Sequence, residues 1–212
     1  MSALTSISAR MRQLWITYGI FGQARLLADV IYSRLRFPAA RLVRRPIYIR
    51  GRKYLILGRG LTTGTGNRID AFPRFHNSGA ILLIGRNVQI NDHCHFAAIE
   101  HLHIGDDSLI ASRVFISDHN HGRFDSDRSE FAPDVPPAKR PLTSSPVNIG
   151  KRVWIGEGVI ILPGVTIGDG AVIGGGAVVN RDIPENCVAV GNPAKVVRRF
   201  DRTQQRWEKY AA

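Results

Sequence analysis

The chain has 212 residues, enough for one well-buried domain with extensions, and it shows neither a run of about 18 apolar residues that would cross a membrane nor an N-terminal signal-peptide pattern. Its two cysteines, Cys94 and Cys187, lie far apart, which argues against a disulfide framework and for a reducing cytoplasm. The net charge of +12 is uneven: residues 1–60 hold 12 Lys and Arg against Asp29 alone (+11), and the rest holds 17 against 16 acids (+1), so no basic stripe crosses the body and no nucleic-acid partner is expected.

Residues 1–36 read as helix. Leu14, Trp15, Tyr18, Phe21, Leu26, Leu27, Val30, Ile31 and Leu35 recur at steps of three and four, Gly19 and Gly22 can split the segment, and Pro38 ends it. Two roles fit: an apolar face packed on the first coil of a repeat body, capping its open end, or an Arg-rich helix resting on an anionic membrane. Capping is the favoured expectation, and the two roles can coexist on opposite faces.

A six-residue rhythm follows. It starts weakly near Ile47 and Ile49 and continues through Leu57, Thr63 and Ile69, before a turn-rich stretch from Phe72 to Gly79. It returns at Ile84, Ile90 and Phe96, then slips by two residues within Ala97–His103 to Ile104, Ile110 and Ile116. The segment 117–146, with five prolines, has little periodicity, as expected of a functional loop. From Val147 the rhythm is strongest, in Ile149, Ile155, Ile161, Ile167, Ile173 and Val179, with a second small or apolar row two residues earlier. Period six preserves strand alternation and adds a recurrent turn, so each hexapeptide is one side of a parallel β-helical coil. The expected organisation is a basic helical segment (1–45), a mainly β, parallel β-helix domain (46–188) with the inserted loop 117–146, and a C-terminal turn and short helix (189–212), the helix over Asp201–Tyr210.

All seven histidines lie between positions 76 and 121, six of them as the pairs His93/His95, His101/His103 and His119/His121. In a strand, residues two apart share a face, so facing imidazoles could hold a metal; alternatively one histidine is a general base and the others are surface or subunit-contact residues. His119 stands out because it lies past a coil edge at the mouth of the long loop, where Asp118 or a backbone carbonyl could orient it.

The run Val147–Gly170 (VNIGKRVWIGEGVIILPGVTIGDG) resembles the hexapeptide-repeat acyltransferases, which fold as left-handed parallel β-helices. Residues Asp182–Arg198 (DIPENCVAVGNPAKVVR) look like the closing signature of the galactoside/maltose O-acetyltransferase branch. Ile90-Asn91-Asp92 and Ser117–Gly122 (SDHNHG) look most like acetyltransferases of bacterial O-antigen and colanic-acid polysaccharide synthesis. The resemblance spans about residues 46–200.

It implies an acetyl-CoA-dependent transfer to a sugar hydroxyl, with His119 as general base, Asn91 positioning the acceptor, and no metal or covalent enzyme intermediate. Asp92, Glu100 and His121 would lie on the acceptor side, Glu100 replacing a family aspartate whose place is held by Ile99. Trp154, Gly156, Gly174, Gly175, Asn180, Arg181, Lys195 and Arg198 would form the CoA side. It also implies a homotrimer with sites between subunits, acting in the cytoplasm on a sugar or lipid-linked oligosaccharide at the inner membrane face, a location that the +11 charge of the N-terminal segment fits through peripheral contact with anionic lipid. The alternative is a zinc-dependent lyase of the β-helical carbonic-anhydrase type, whose histidines come at a wider step than the His-x-His seen here.

Overall fold

The computed structural model describes residues 2–73, 79–123 and 128–210, with side chains at 12, 13 and from 15 onward. The chain winds as a left-handed coil whose sides fall in turn on three parallel sheets, a prism of triangular section. The period-six row becomes a ladder of stacked residues: in the second sheet Ile49, Ile69, Phe96, Ile116, Ile161 and Val179 lie one above another in register. All but Ile49 are at most 1% exposed. Burying each such side chain stabilises the coil by about 1.5–3 kcal/mol before entropy is counted.

Glycine at the corners lets coils approach. A Cβ on Gly105 would lie 2.5 Å from the Gly150 carbonyl oxygen, and one on Gly156 would lie 2.6 Å from the Gly175 nitrogen. Both distances are shorter than van der Waals contact, so these positions exclude any larger residue without movement of the neighbouring coil.

Every break in the rhythm falls at the same edge of the prism, the corner between the second and third sheets. The regular step there is six residues, Ile161 to Ile167. It becomes fifteen from Ile69 to Ile84, eight from Phe96 to Ile104, and thirty-three from Ile116 to Ile149. Insertions at a corner leave the ladders intact, which is why the core tolerates them. Within the longest, His119–His121 pairs antiparallel with Leu142–Ser144, and Phe131 is buried at 8% exposure.

Two expectations are corrected. The helix Ser2–Arg36, broken at Gly19 (φ 59°), packs only part of its apolar surface inward, half-burying Leu26, Val30 and Tyr32. It buries Asp29 and Ser33 beside them: Asp29 pairs with Arg45 at 2.8 Å, and the Ser33 hydroxyl accepts the Val43 N–H at 2.7 Å. The expected C-terminal helix is a β-hairpin, Lys195–Asp201 with Arg206–Lys209, added antiparallel to the edge strand Cys187–Val190. That strand offers unpaired backbone groups, the Asp201 carboxylate caps the turn by accepting the Thr203 and Gln204 N–H groups, and Phe200 packs edge-on to Trp207 at 5.3 Å.

Candidate functional site

At the second-to-third corner, the eight-residue step in the third coil bends the backbone so that three successive N–H groups, of Ile99, Glu100 and His101, converge. They donate to the Asp118 carboxylate at 2.8–3.0 Å. Asp118 is fully buried. Three amide donors make an anion-binding concavity that offsets the cost of burying its charge.

The same carboxylate accepts the Nδ1–H of His119 at 2.8 Å. This fixes the tautomer: with Nδ1 protonated toward Asp118, Nε2 keeps its lone pair for a proton from outside. The Ser117 hydroxyl accepts the His119 backbone N–H at 3.2 Å and lies 3.2 Å from Nδ1, holding the ring from a second side. The His119 side chain is 19% exposed, enough to meet a ligand. A buried carboxylate orienting an imidazole with one free nitrogen is the arrangement used for general-base catalysis. The sequence marks the slip and the histidine; the amide cluster that joins them appears only when the coil closes.

The other site residues expected from sequence divide between two corners. Glu100, His121, Asn180 and Arg181 lie at or beside the His119 corner. The Glu100 carboxylate has no ion-pair partner among the described residues. Asn91 and Asp92 sit at the corner between the first and second sheets, as do Gly156, Gly174 and Gly175, with Trp154 on the outer face of the first sheet, 54% exposed. Lys195 and Arg198 are exposed on the strand that pairs with the first sheet's edge. One chain therefore does not bring Asn91 to His119.

At the first corner Asp92 accepts the Thr65 N–H at 2.7 Å, and Asn91 accepts from the Gln89 amide at 3.1 Å. Both line a cavity of about 630 Å³ roofed by the N-terminal helix through Tyr18, Arg25 and Leu26. Gly156 and Gly174 have packing reasons of their own, since a Cβ on Gly174 would lie 2.7 Å from Val190 Cγ1. Gly175 has more room, its nearest neighbour at 3.3 Å.

The remaining histidines are spread around the prism. His93 is a corner residue with φ 58°, so it does not share a strand face with His95 as its spacing suggests. His95 donates from Nε2 to the Asp70 carboxylate at 3.2 Å on the second sheet, His103 lies on the third, and His76 lies outside the described residues. Among the described residues no three His, Cys, Asp or Glu side chains gather as metal ligands. This arrangement gives the zinc-lyase reading no support. Burial pushes the Cys94 thiol up to about 11, making it a core residue rather than a nucleophile.

Comparison with known proteins bears on the same features. The family model "Bacterial transferase hexapeptide (six repeats)" matches residues 146–181. WbbJ of Escherichia coli (strain K12), a protein named for O-acetyl transfer in lipopolysaccharide biosynthesis, is 45% identical over 192 residues, covering 91% of this chain and 95% of that one. The galactoside O-acetyltransferase of the same strain is 35% identical over 156 residues, covering 74% and 72%. The crystal structure of a maltose O-acetyltransferase from Clostridium difficile 630 aligns with a TM-score of 0.57 at 33% identity, over 71% of this chain and 73% of that one. The N-acyltransferase AntD from Bacillus cereus aligns with a TM-score of 0.65 at 18% identity, a likeness of fold alone.

Proposed function

Because the chain belongs to the hexapeptide-repeat acyltransferases, among the sugar O-acetyltransferases, we propose that it moves an acetyl group from acetyl-CoA to a saccharide hydroxyl in surface-polysaccharide synthesis. The observation that carries the mechanism is the His119–Asp118 pair held by three amides. His119 Nε2 takes the proton of the acceptor hydroxyl as its oxygen attacks the thioester carbonyl carbon. The tetrahedral intermediate collapses with loss of the C–S bond, and the imidazolium returns its proton to the CoA thiolate. Asp118 stabilises the imidazolium between these steps, and no acyl-enzyme forms. A general base of this kind contributes about 10²–10⁴-fold.

The acceptor is a sugar or a lipid-linked oligosaccharide at the inner face of the cytoplasmic membrane. The CoA side comprises Trp154, Gly175, Asn180, Arg181, Lys195 and Arg198, whose cationic members suit phosphate groups. The division of site residues between two corners supports a homotrimer. Those corners bound the second sheet on either side, so a threefold axis facing that sheet would set the Asn91 corner of one copy against the His119 corner of the next. Steady-state turnover of acetyl-CoA against a panel of free, nucleotide-linked and lipid-linked saccharides tests the reading. Transfer that depends on His119 supports it; equal turnover by His119→Ala would sink the mechanism.

A further inference from the structure

The N-terminal helix sets the polar Asp29 and Ser33 beside half-buried Leu26 and Val30 on its coil side and turns much of its aliphatic surface to solvent. Asp29 and Ser33 are at most 2% exposed against the coil, while Ile20 (62%), Leu27 (61%), Ile31 (53%) and Leu35 (77%) face solvent. At about 100° per residue these four share an arc of about 80°, opposite Asp29 and Ser33. Phe21 (89%) and Trp15 (56%) extend the apolar surface across the break at Gly19. An aliphatic stripe of this length needs a cover.

Charge decides between the covers. Arg34 is exposed at the edge of the stripe and Arg36 at the helix end, and among the described residues neither pairs with a carboxylate, whereas Arg25 turns toward the coil and donates to the Arg45 carbonyl at 2.7 Å. A second copy presents the same +11 segment and a body of +1, and so offers little to Arg34 and Arg36. An anionic lipid surface supplies both an acyl boundary for the stripe and headgroups for these two arginines. No helix among the described residues is long and apolar enough to cross a membrane.

We propose that the outward face of this helix, Ile20, Leu27, Ile31 and Leu35 with Arg34 and Arg36, docks the enzyme in the plane of an anionic bilayer. The inner side of the same helix roofs the cavity that holds Asn91 and Asp92. Docking would therefore bring that cavity to the level of the headgroups, where a lipid-linked acceptor presents its sugar. This consequence rests on the acetyltransferase reading; docking itself does not.

Full-length protein floated with phosphatidylcholine vesicles containing about a quarter phosphatidylglycerol tests the proposal. The wild type should float with these vesicles and bind pure phosphatidylcholine at least about 10-fold less. Leu27→Asp with Ile31→Asp should lose flotation by at least about 10-fold while keeping its oligomeric state by light scattering and its turnover of soluble acceptors. Flotation equal to wild type overturns the proposal. So does a variant that dissociates into monomers yet still floats, which would assign the face to a second copy. Trp15 gives a readout free of any folding defect: brominated lipid should quench the fluorescence that is lost in Trp15→Phe, and absence of quenching also overturns docking.

Discussion

His119, Asp118 and the amides of residues 99–101 act as one unit, so their variants should differ in kind. His119→Ala removes the base and should lower kcat by about 10²–10⁴ with little change in KM for acetyl-CoA. Asp118→Asn should lower kcat by about 10², and it should also lower stability, because a neutral amide both misorients the ring and leaves amide donors poorly matched. His121→Ala, at an exposed position on the same hairpin, should cost far less; a loss equal to that of His119→Ala would move the base to His121. A second carboxylate, Asp70, gives a stability prediction. Burial alone would raise its pKa, but hydrogen bonds from Arg50, His95 and Arg68 outweigh that and hold it at about 2, below the usual 3.8. Its charged form is thus favoured by folding. The contribution is fully present above pH 3.8 and is lost as pH falls through about 2. Asp70→Asn should destabilise by about 1–2 kcal/mol at neutral pH in urea titrations, with the gap to wild type closing toward pH 2.

Among the elements, the coil sides were legible because a buried column demands an aliphatic residue at every sixth position, whatever surrounds it. The corners were legible where backbone contact demands glycine. Gly156→Ala should lower stability by about 1–3 kcal/mol, read as a fall in melting temperature, because its Cβ meets the next coil at 2.6–2.8 Å. An unchanged melting temperature would show that the corner can move. The helix and the hairpin escape the sequence for one reason: what each packs on, rather than its own residue pattern, sets its buried face or its conformation. The Asp201–Tyr210 segment carries mixed charge and few apolar residues, and the edge of the first sheet makes it a strand. The apolar steps of residues 14–35 resemble a buried face, yet Asp29 and Ser33 share the buried side because Arg45 and Val43 satisfy them.

For the whole molecule, the placement of Asn91 and His119 on different corners makes a composite site testable without a structure of the assembly. Light scattering should report a trimer. Asn91→Ala and His119→Ala, each nearly inactive, should regain activity when co-assembled, because one interface in a mixed trimer keeps both native residues; random mixing predicts about a quarter of wild-type turnover. No recovery would place the complete site within one chain. The repeat by itself determined the β-helix, its length and the positions where it is interrupted, since periodic burial is a local requirement repeated along the chain. That the interruptions share one corner, that the two-residue slip becomes a cradle for Asp118, and that the helix turns much of its aliphatic surface outward were decided only by tertiary structure. Each depends on which residues meet across coils, and sequence spacing alone does not encode those meetings.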